Sequence, residues 1–250
     1  MTPMDKANGA FDPARVPLPR LRDRQRTLRR WLRPRWAYVL SHGPSPISSM
    51  VGTDRGTPID RVAIEAFLEH HKDLVRGRVL EVRDRDYTTR FGRGRVTRSD
   101  VMDINRLNKD ANIIDDIRSL ATIPDGSYDC FIVTQVLQYV DDLDAAIGSI
   151  RRVLAPGGNA LVTVPSLGKL DGQEDNVAGH YWRLTPDSAR VLFSKRFGKD
   201  PAALEIHGWG NSRLGAAFMS GLCAEGRWEN ALGAMQTLDL KKLLEKPAAK

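Results

Sequence analysis

From Gly77 onward the chain alternates short apolar runs with amphipathic or turn-rich segments. Arg78–Val82, Arg95–Ser99, Tyr128–Val133 and Ala160–Val164 each have the length of a strand, and the shorter Ile113–Ile114 is read as one from its β-branched pair. Before the first, Thr57 reads as an N-cap, Pro58 as the first helical position and Asp60 as a dipole partner, with Ile59, Val62, Ala63, Ala66 and Phe67 on one face. A second helix is predicted over Leu143–Leu154, where Leu143, Ala146, Ile147, Ile150 and Leu154 recur at helical spacing. Pro156-Gly157-Gly158 is expected to stop it and turn the chain into the strand at Ala160. A third helix is expected from Thr185-Pro186, followed by an extended segment near Leu204–His207. Strands that alternate with helical crossovers predict an α/β fold, a doubly wound and mostly parallel sheet with helices on both faces.

The flanks read differently. Residues 1–19, with Pro3, Pro13, Pro17 and Pro19, form a tail; Arg20–Leu32 can form a helix with Leu21, Leu28, Trp31 and Leu32 on one side; His42–Pro46 is a linker. The organisation expected is an arginine-rich, partly helical N-terminal extension over 1–54 and one domain over 55–250. The stretch from Leu238 reads as helical or frayed, and the sheet's last strand is not located.

The net charge of +7 changes meaning once it is placed: Ala14–Arg35 holds Arg15, Arg20, Arg22, Arg24, Arg26, Arg29, Arg30, Arg33 and Arg35 against one acid, Asp23. The remainder is close to neutral, so a nucleic-acid face is disfavoured. A local arm for a protein partner or an anionic surface stays open beside the plainer reading of a solvated helix docked on the core. Cys130 and Cys223 are the only cysteines, and they do not read as a disulfide framework. With no apolar stretch of membrane-spanning length and no secretory core near Met1, a cytoplasmic location is expected.

Three carboxylates stand in order at expected strand ends: Glu81, Asp100 and Asp116. In an open α/β sheet, ligands bind beyond the carboxyl ends of strands where strand order reverses. An ionised carboxylate is a bidentate acceptor suited to a ribose diol, and Asp100 follows Glu81 at close to the offset such a group occupies. Taken singly, each carboxylate reads equally as a cap or a solvated loop residue. Nucleophile elbows, phosphate loops and zinc pairs are missing, and Thr134-Gln135-Val136-Leu137 stands where an amino-methylating tetrad would be. No metal site is expected. His70 and His71 read as capping or solvent-facing groups and His207 as a structural residue.

This order of acids, buried fourth run, helix and Pro-Gly-Gly resembles the class I S-adenosylmethionine (SAM) dependent methyltransferases over roughly residues 55–200. Within that superfamily it resembles a bacterial branch through Asp54–Arg61, Tyr87–Gly92 and Tyr181–Arg183. The resemblance implies a Rossmann-like fold and SAM as cofactor. It implies that Asp100 holds the ribose, that Asp116 accepts from the adenine amino group with Val101 and Ile117 against the ring, and that Gln135 lines the amino-acid end. Glu81 would order the turn after the first strand. The departure is Arg83, where the family has a glycine able to take positive φ. Either the loop from Arg83 takes another path, with Asp84 or Tyr87 at the methionine end, or cofactor binding is weakened. On the acceptor side, His180 and Tyr181 would be catalytic, His180 as base, and Trp182 and Arg183 would bind substrate; the alternative is that these residues anchor a surface loop. The implied activity is methyl transfer to an oxygen, less readily a nitrogen, of a small metabolite or sugar-containing biosynthetic intermediate. The rivals are a methyltransferase-fold enzyme that performs a cofactor-independent step such as cyclisation, and a non-catalytic partner subunit.

Overall fold

The computed structural model describes residues 48, 52–54, 56–168, 179–198, 203–210 and 212–224. The tail, the arginine-rich arm, the linker, most of the loop after Gly168 and the stretch from Leu238 lie outside the described residues. Strands β1 (Gly77–Val82), β2 (Val96–Asp103), β3 (Ile113–Ile114), β4 (Tyr128–Thr134) and β5 (Leu154–Thr163) form one sheet in the order β3-β2-β1-β4-β5, every pair parallel. The chain moves outward from β1 to β3, then returns to β4 on the other side of β1. The strand order therefore reverses between β1 and β4, the place where such sheets bind ligands.

Alternate residues along each strand feed two cores. On one face Leu80, Met102, Phe131 and Val133 pack with Ala146, Ile147 and Ile150 of α3 (Leu143–Val153) and Ala189 and Phe193 of α4 (Pro186–Phe197). On the other, Val79, Cys130, Ile132 and Leu161 pack with Ile64 and Leu68 of α1 (Ile59–His70) and Tyr87 and Phe91 of α2 (Asp86–Gly92). Each fully buried aliphatic or aromatic chain here is worth roughly 1.5–3 kcal/mol of transfer energy, so β1 and β4, buried on both faces, anchor the domain. A smaller cluster joins Ile59 to Ala217 and Leu222, beside α5 (Ser212–Met219).

Several local expectations change. Pro58, not Thr57, is the N-cap of α1, and proline has no side-chain oxygen to cap it; the Thr57 carbonyl accepts from Ala224 N–H. Ile59, Ile64 and Leu68 are the buried residues of α1, while Val62, Ala63 and Ala66 are only partly buried. Pro156-Gly157-Gly158 lies inside β5, not before it. Between the pairs Tyr128–Leu154 and Cys130–Asn159 the strand takes five steps against two on β4 and bulges. Leu204–His207 is irregular chain with no strand partner. The α4 start agrees with expectation: the Thr185 side chain accepts from Ser188 N–H, the Ser188 hydroxyl closes the reciprocal cap, and Pro186 opens the helix.

Candidate functional site

The carboxyl edge of β1 is built around Glu81. Its carboxylate is buried and accepts from Tyr87 N–H (3.1 Å), Thr88 N–H (2.7 Å) and Thr88 Oγ1 (2.6 Å), which ties the start of α2 back to the strand. Burial pushes its pKa up to about 7 against the pull of those hydrogen bonds. Between strand and helix, Arg83 takes φ of +79°, the left-handed conformation that a glycine would supply. Its side chain is exposed and its N–H donates to the Met102 carbonyl at 2.8 Å, so the loop keeps a glycine-like path without the glycine. Asp84 Oδ1 accepts from Asp86 N–H within the same turn.

The second strand runs three residues beyond its expected end. Asp100 is therefore internal to β2, only 3% exposed, and accepts from Asn112 Nδ2 (2.7 Å), the Tyr128 hydroxyl (2.9 Å) and Arg98 Nε (2.7 Å). Burial opposes ionisation, but these donors together hold the carboxyl below its usual range. It joins β2 to β4 inside the sheet, and Val101 is wholly buried beside it. Neither residue reaches the edge. The acid at the lip is Asp103, which accepts from Asn105 N–H (2.9 Å) and Asn108 Nδ2 (2.6 Å); Asn108 Nδ2 also donates to the Arg83 carbonyl (2.6 Å). The signal for it was in the chain: Val101-Met102 prolongs the apolar run, and Asp103-x-Asn105 has the Asx-turn form that ends a strand.

After β3, Asp116 receives Arg118 through Nε (3.0 Å) and Nη2 (2.6 Å), which lowers its pKa, and Arg118 also reaches Asp141. Ile117 is buried in the core, packed among residues such as Leu120 and Ile123. Beyond β4, Gln135 sits at φ of +53°, donates its N–H to the Thr163 carbonyl, and accepts Gln138 Nε2 on its own carbonyl (3.0 Å). Gln138 Oε1 and Thr163 Oγ1 are buried with no hydrogen-bond partner. An unsatisfied amide oxygen in the turn after β4 and an unsatisfied hydroxyl at the end of β5 are groups that a ligand ammonium or hydroxyl would satisfy.

The segment after the Gly168 loop lies across this edge. Tyr181 N–H donates to the Gln138 carbonyl (2.8 Å) and Trp182 Nε1 to the Val140 carbonyl (2.7 Å), so both aromatics are moored to the turn after β4. The His180 ring meets Tyr139 edge-on at 4.7 Å, and its Nδ1 lies 3.3 Å from Arg183 Nη2. Arginine only donates, so Nδ1 is the acceptor and the proton of a neutral ring sits on Nε2. In this pose His180 is not free to act as a base; Arg183 has to leave Nδ1 first.

A second cleft, of about 490 Å³, opens at the amino edge of the sheet, lined by Arg76, Gly77, Arg95, Asp129, Pro156 and Gly157. Two of its charges are paired with residues outside the lining, Asp129 with Arg78 and Arg95 with Asp73. It lies at the opposite end of β1 and β4 from the carboxyl edge. Among the described residues no cluster of His, Cys, Asp or Glu suits a metal, and no helix is long and apolar enough to cross a membrane.

Residues 85–162 match the model of a family described as a methyltransferase domain. No curated protein matches the chain. Among solved structures, it is similar to a SAM-dependent methyltransferase from Archaeoglobus fulgidus (14% identity, 54% of this chain and 67% of that one, TM-score 0.42). It is also similar to the [4+2]-cyclase SpnF (20%, 52% and 56%, 0.38) and to the N-methyltransferase NodS from Bradyrhizobium japonicum in complex with S-adenosylhomocysteine (20%, 43% and 63%, 0.34). The chain spans about half the length of the first structures it matches.

Proposed function

We propose that the sheet domain is that of a class I SAM-dependent methyltransferase, which binds SAM at the carboxyl edge between β1 and β4 and transfers a methyl group to an oxygen, less readily a nitrogen, of a small metabolite or sugar-containing intermediate. The observation that carries the reading is the glycine-like path of Arg83 beside Asp103. The main chain after β1 is shaped as a close ligand approach requires, and the Asp103 side chain stands next to it, linked through Asn108.

The residues present fit an adenosyl group. A carboxylate offers about four lone-pair directions; Asp103 uses two on Asn105 and Asn108, which leaves acceptors for a ribose diol. Asp116 is the acid for the base's amino group, and the orphan Gln138 Oε1 is an acceptor for the ammonium of the amino-acid end. Bound there, the cofactor supplies an electrophilic methyl on a sulfonium. The protein's part is to align the acceptor and manage its proton. Tyr181 and Trp182, fixed on the Gln138 and Val140 carbonyls, wall the acceptor side. Arg183 turns toward an anionic acceptor, which releases His180 Nδ1 to take the hydroxyl proton.

Calorimetric titration with S-adenosylhomocysteine tests this. Micromolar binding is expected, with Asp103→Ala weakening it by at least about tenfold, in line with loss of charge-assisted hydrogen bonds, while stability changes little. Asp100→Ala should do the reverse, lowering stability by roughly 3 kcal/mol as a buried network loses its centre. Failure of the wild-type protein to bind would end the reading. Binding without turnover on any acceptor would favour a cofactor-independent step such as cyclisation, or a partner role through the arginine-rich arm.

A further inference from the structure

Arg61 stands in the first turn of α1, and its Nη1 donates to the Tyr87 hydroxyl at 2.5 Å with the guanidinium 5.8 Å from the centre of that ring. Tyr87 is buried in the first turn of α2, where Glu81 holds its N–H. Arg61 is thus fixed at the carboxyl edge of the sheet, beside the loop from Arg83 to Arg85. The far end of α1 points the other way: Arg95, at the amino end of β2, donates to the Lys72 carbonyl just beyond the helix (2.7 Å).

What marks Arg61 out is its company. Several arginines that bridge elements meet a carboxylate, as Arg78 meets Asp129, Arg90 meets Glu65 and Arg152 meets Asp125. Arg61 is half-buried, and its hydrogen-bond partner among the described residues is a neutral phenol. A cation drawn out of water without a paired anion carries an uncompensated desolvation cost, and a guanidinium fork with one of its five N–H groups engaged here still has the geometry to take a carboxylate in two parallel bonds. Asp60 and Asp84 lie near enough to favour its charge, but neither forms an ion pair with it; Asp84 Oδ1 is taken up by Asp86 N–H.

The geometry points to Arg61 as the residue that receives the carboxylate of the cofactor's amino-acid end, an assignment that rests on the adenosyl-binding reading above. Tyr87 is then its positioning residue, which holds the guanidinium over the loop by its hydroxyl and ring face, and Glu81 positions Tyr87 in turn. A helix that precedes the first strand thereby takes part in binding.

The test pairs two ligands with the full-length chain in calorimetry: S-adenosylhomocysteine, which has the amino-acid end, and 5′-methylthioadenosine, which lacks it. Arg61→Met is expected to weaken the first by about tenfold to a hundredfold, the range of a lost charge-assisted pair, and to change the second by less than about twofold. Arg61→Lys should recover part of the loss. Equal weakening of both ligands, or unchanged affinity for S-adenosylhomocysteine, overturns the assignment. A comparison that needs no variant is wild-type affinity for S-adenosylhomocysteine and for its carboxamide. Tighter binding of the acid is expected, and equal affinity overturns the assignment while leaving the adenosyl reading intact. Wild-type protein that binds neither adenosyl ligand removes both.

Discussion

Arg83 shows how a residue that breaks a motif in letters can keep it in conformation. Its φ of +79° costs an L-residue roughly 1–2 kcal/mol that glycine would not incur, while glycine would give back roughly 0.5–1 kcal/mol through a freer unfolded chain. Arg83→Gly should therefore be neutral or stabilising by up to about 1 kcal/mol, whereas Arg83→Val, β-branched in the left-handed region, should destabilise by about 1–2 kcal/mol; denaturant midpoints would show the order. Glu81 makes a pH-dependent prediction from the same turn. Its folded pKa of about 7 lies above the ordinary value of 4.5, so between those values the folded protein holds the proton more firmly than the unfolded chain. Stability from this group is thus fully present below pH 4.5 and declines as pH rises to 7, by about 3 kcal/mol in all. The difference in unfolding free energy between wild type and Glu81→Gln should follow that slope; a flat difference would mean that Glu81 is ionised throughout.

At the scale of elements, alternation of apolar runs was enough to read a doubly wound sheet, because β1 and β4 are apolar for burial on both faces and α3 has one apolar stripe. Ends were harder. A lone acid after an apolar run looks like a terminus, which places the expected end of β2 at Asp100, yet three donors from Arg98, Asn112 and Tyr128, distant in sequence in two cases, let that acid stay inside the sheet. Only tertiary partners separate Asp100 from Asp103. Pro156-Gly157-Gly158 was equally misleading: breaker residues can end a helix and still sit in a bulged strand. The bulge makes the two glycines unequal. A Cβ on Gly158 would stand 2.9 Å from the carbonyl oxygens of Ala155 and Tyr128, both backbone, while one on Gly157 meets nothing within 4 Å and faces only its φ of +76°. Gly158→Ala is expected to cost more than about 2 kcal/mol and Gly157→Ala about 1 kcal/mol, in thermal or denaturant unfolding.

Across the molecule, the packing is uneven in a way that the two cysteines can report. Cys130 lies in β4, between β1 and β5, with no exposure, and burial pushes its thiol pKa up to about 12. Cys223 is also buried, but it borders the small cluster of Ile59, Ala217 and Leu222, held to the body by the bridge to Pro58 and the Ala224–Thr57 hydrogen bond. Contact with a thiol reagent requires opening, and the free energy of opening rises with the apolar packing that must be broken. Cys223 should therefore label under native conditions by a local opening that depends little on urea, and Cys130 only by global unfolding, with a steep urea dependence; peptide-resolved alkylation by mass spectrometry distinguishes them. S-Adenosylhomocysteine at saturating concentration should slow Cys130 by mass action on the whole fold. If α1 is part of the binding surface through Arg61, the ligand should slow Cys223 as well, since Ile59 and Pro58 join that cluster to the turn that carries Arg61. Equal slowing of both cysteines would tie the satellite cluster to the site, and slowing of Cys130 alone would leave it an independent opening unit.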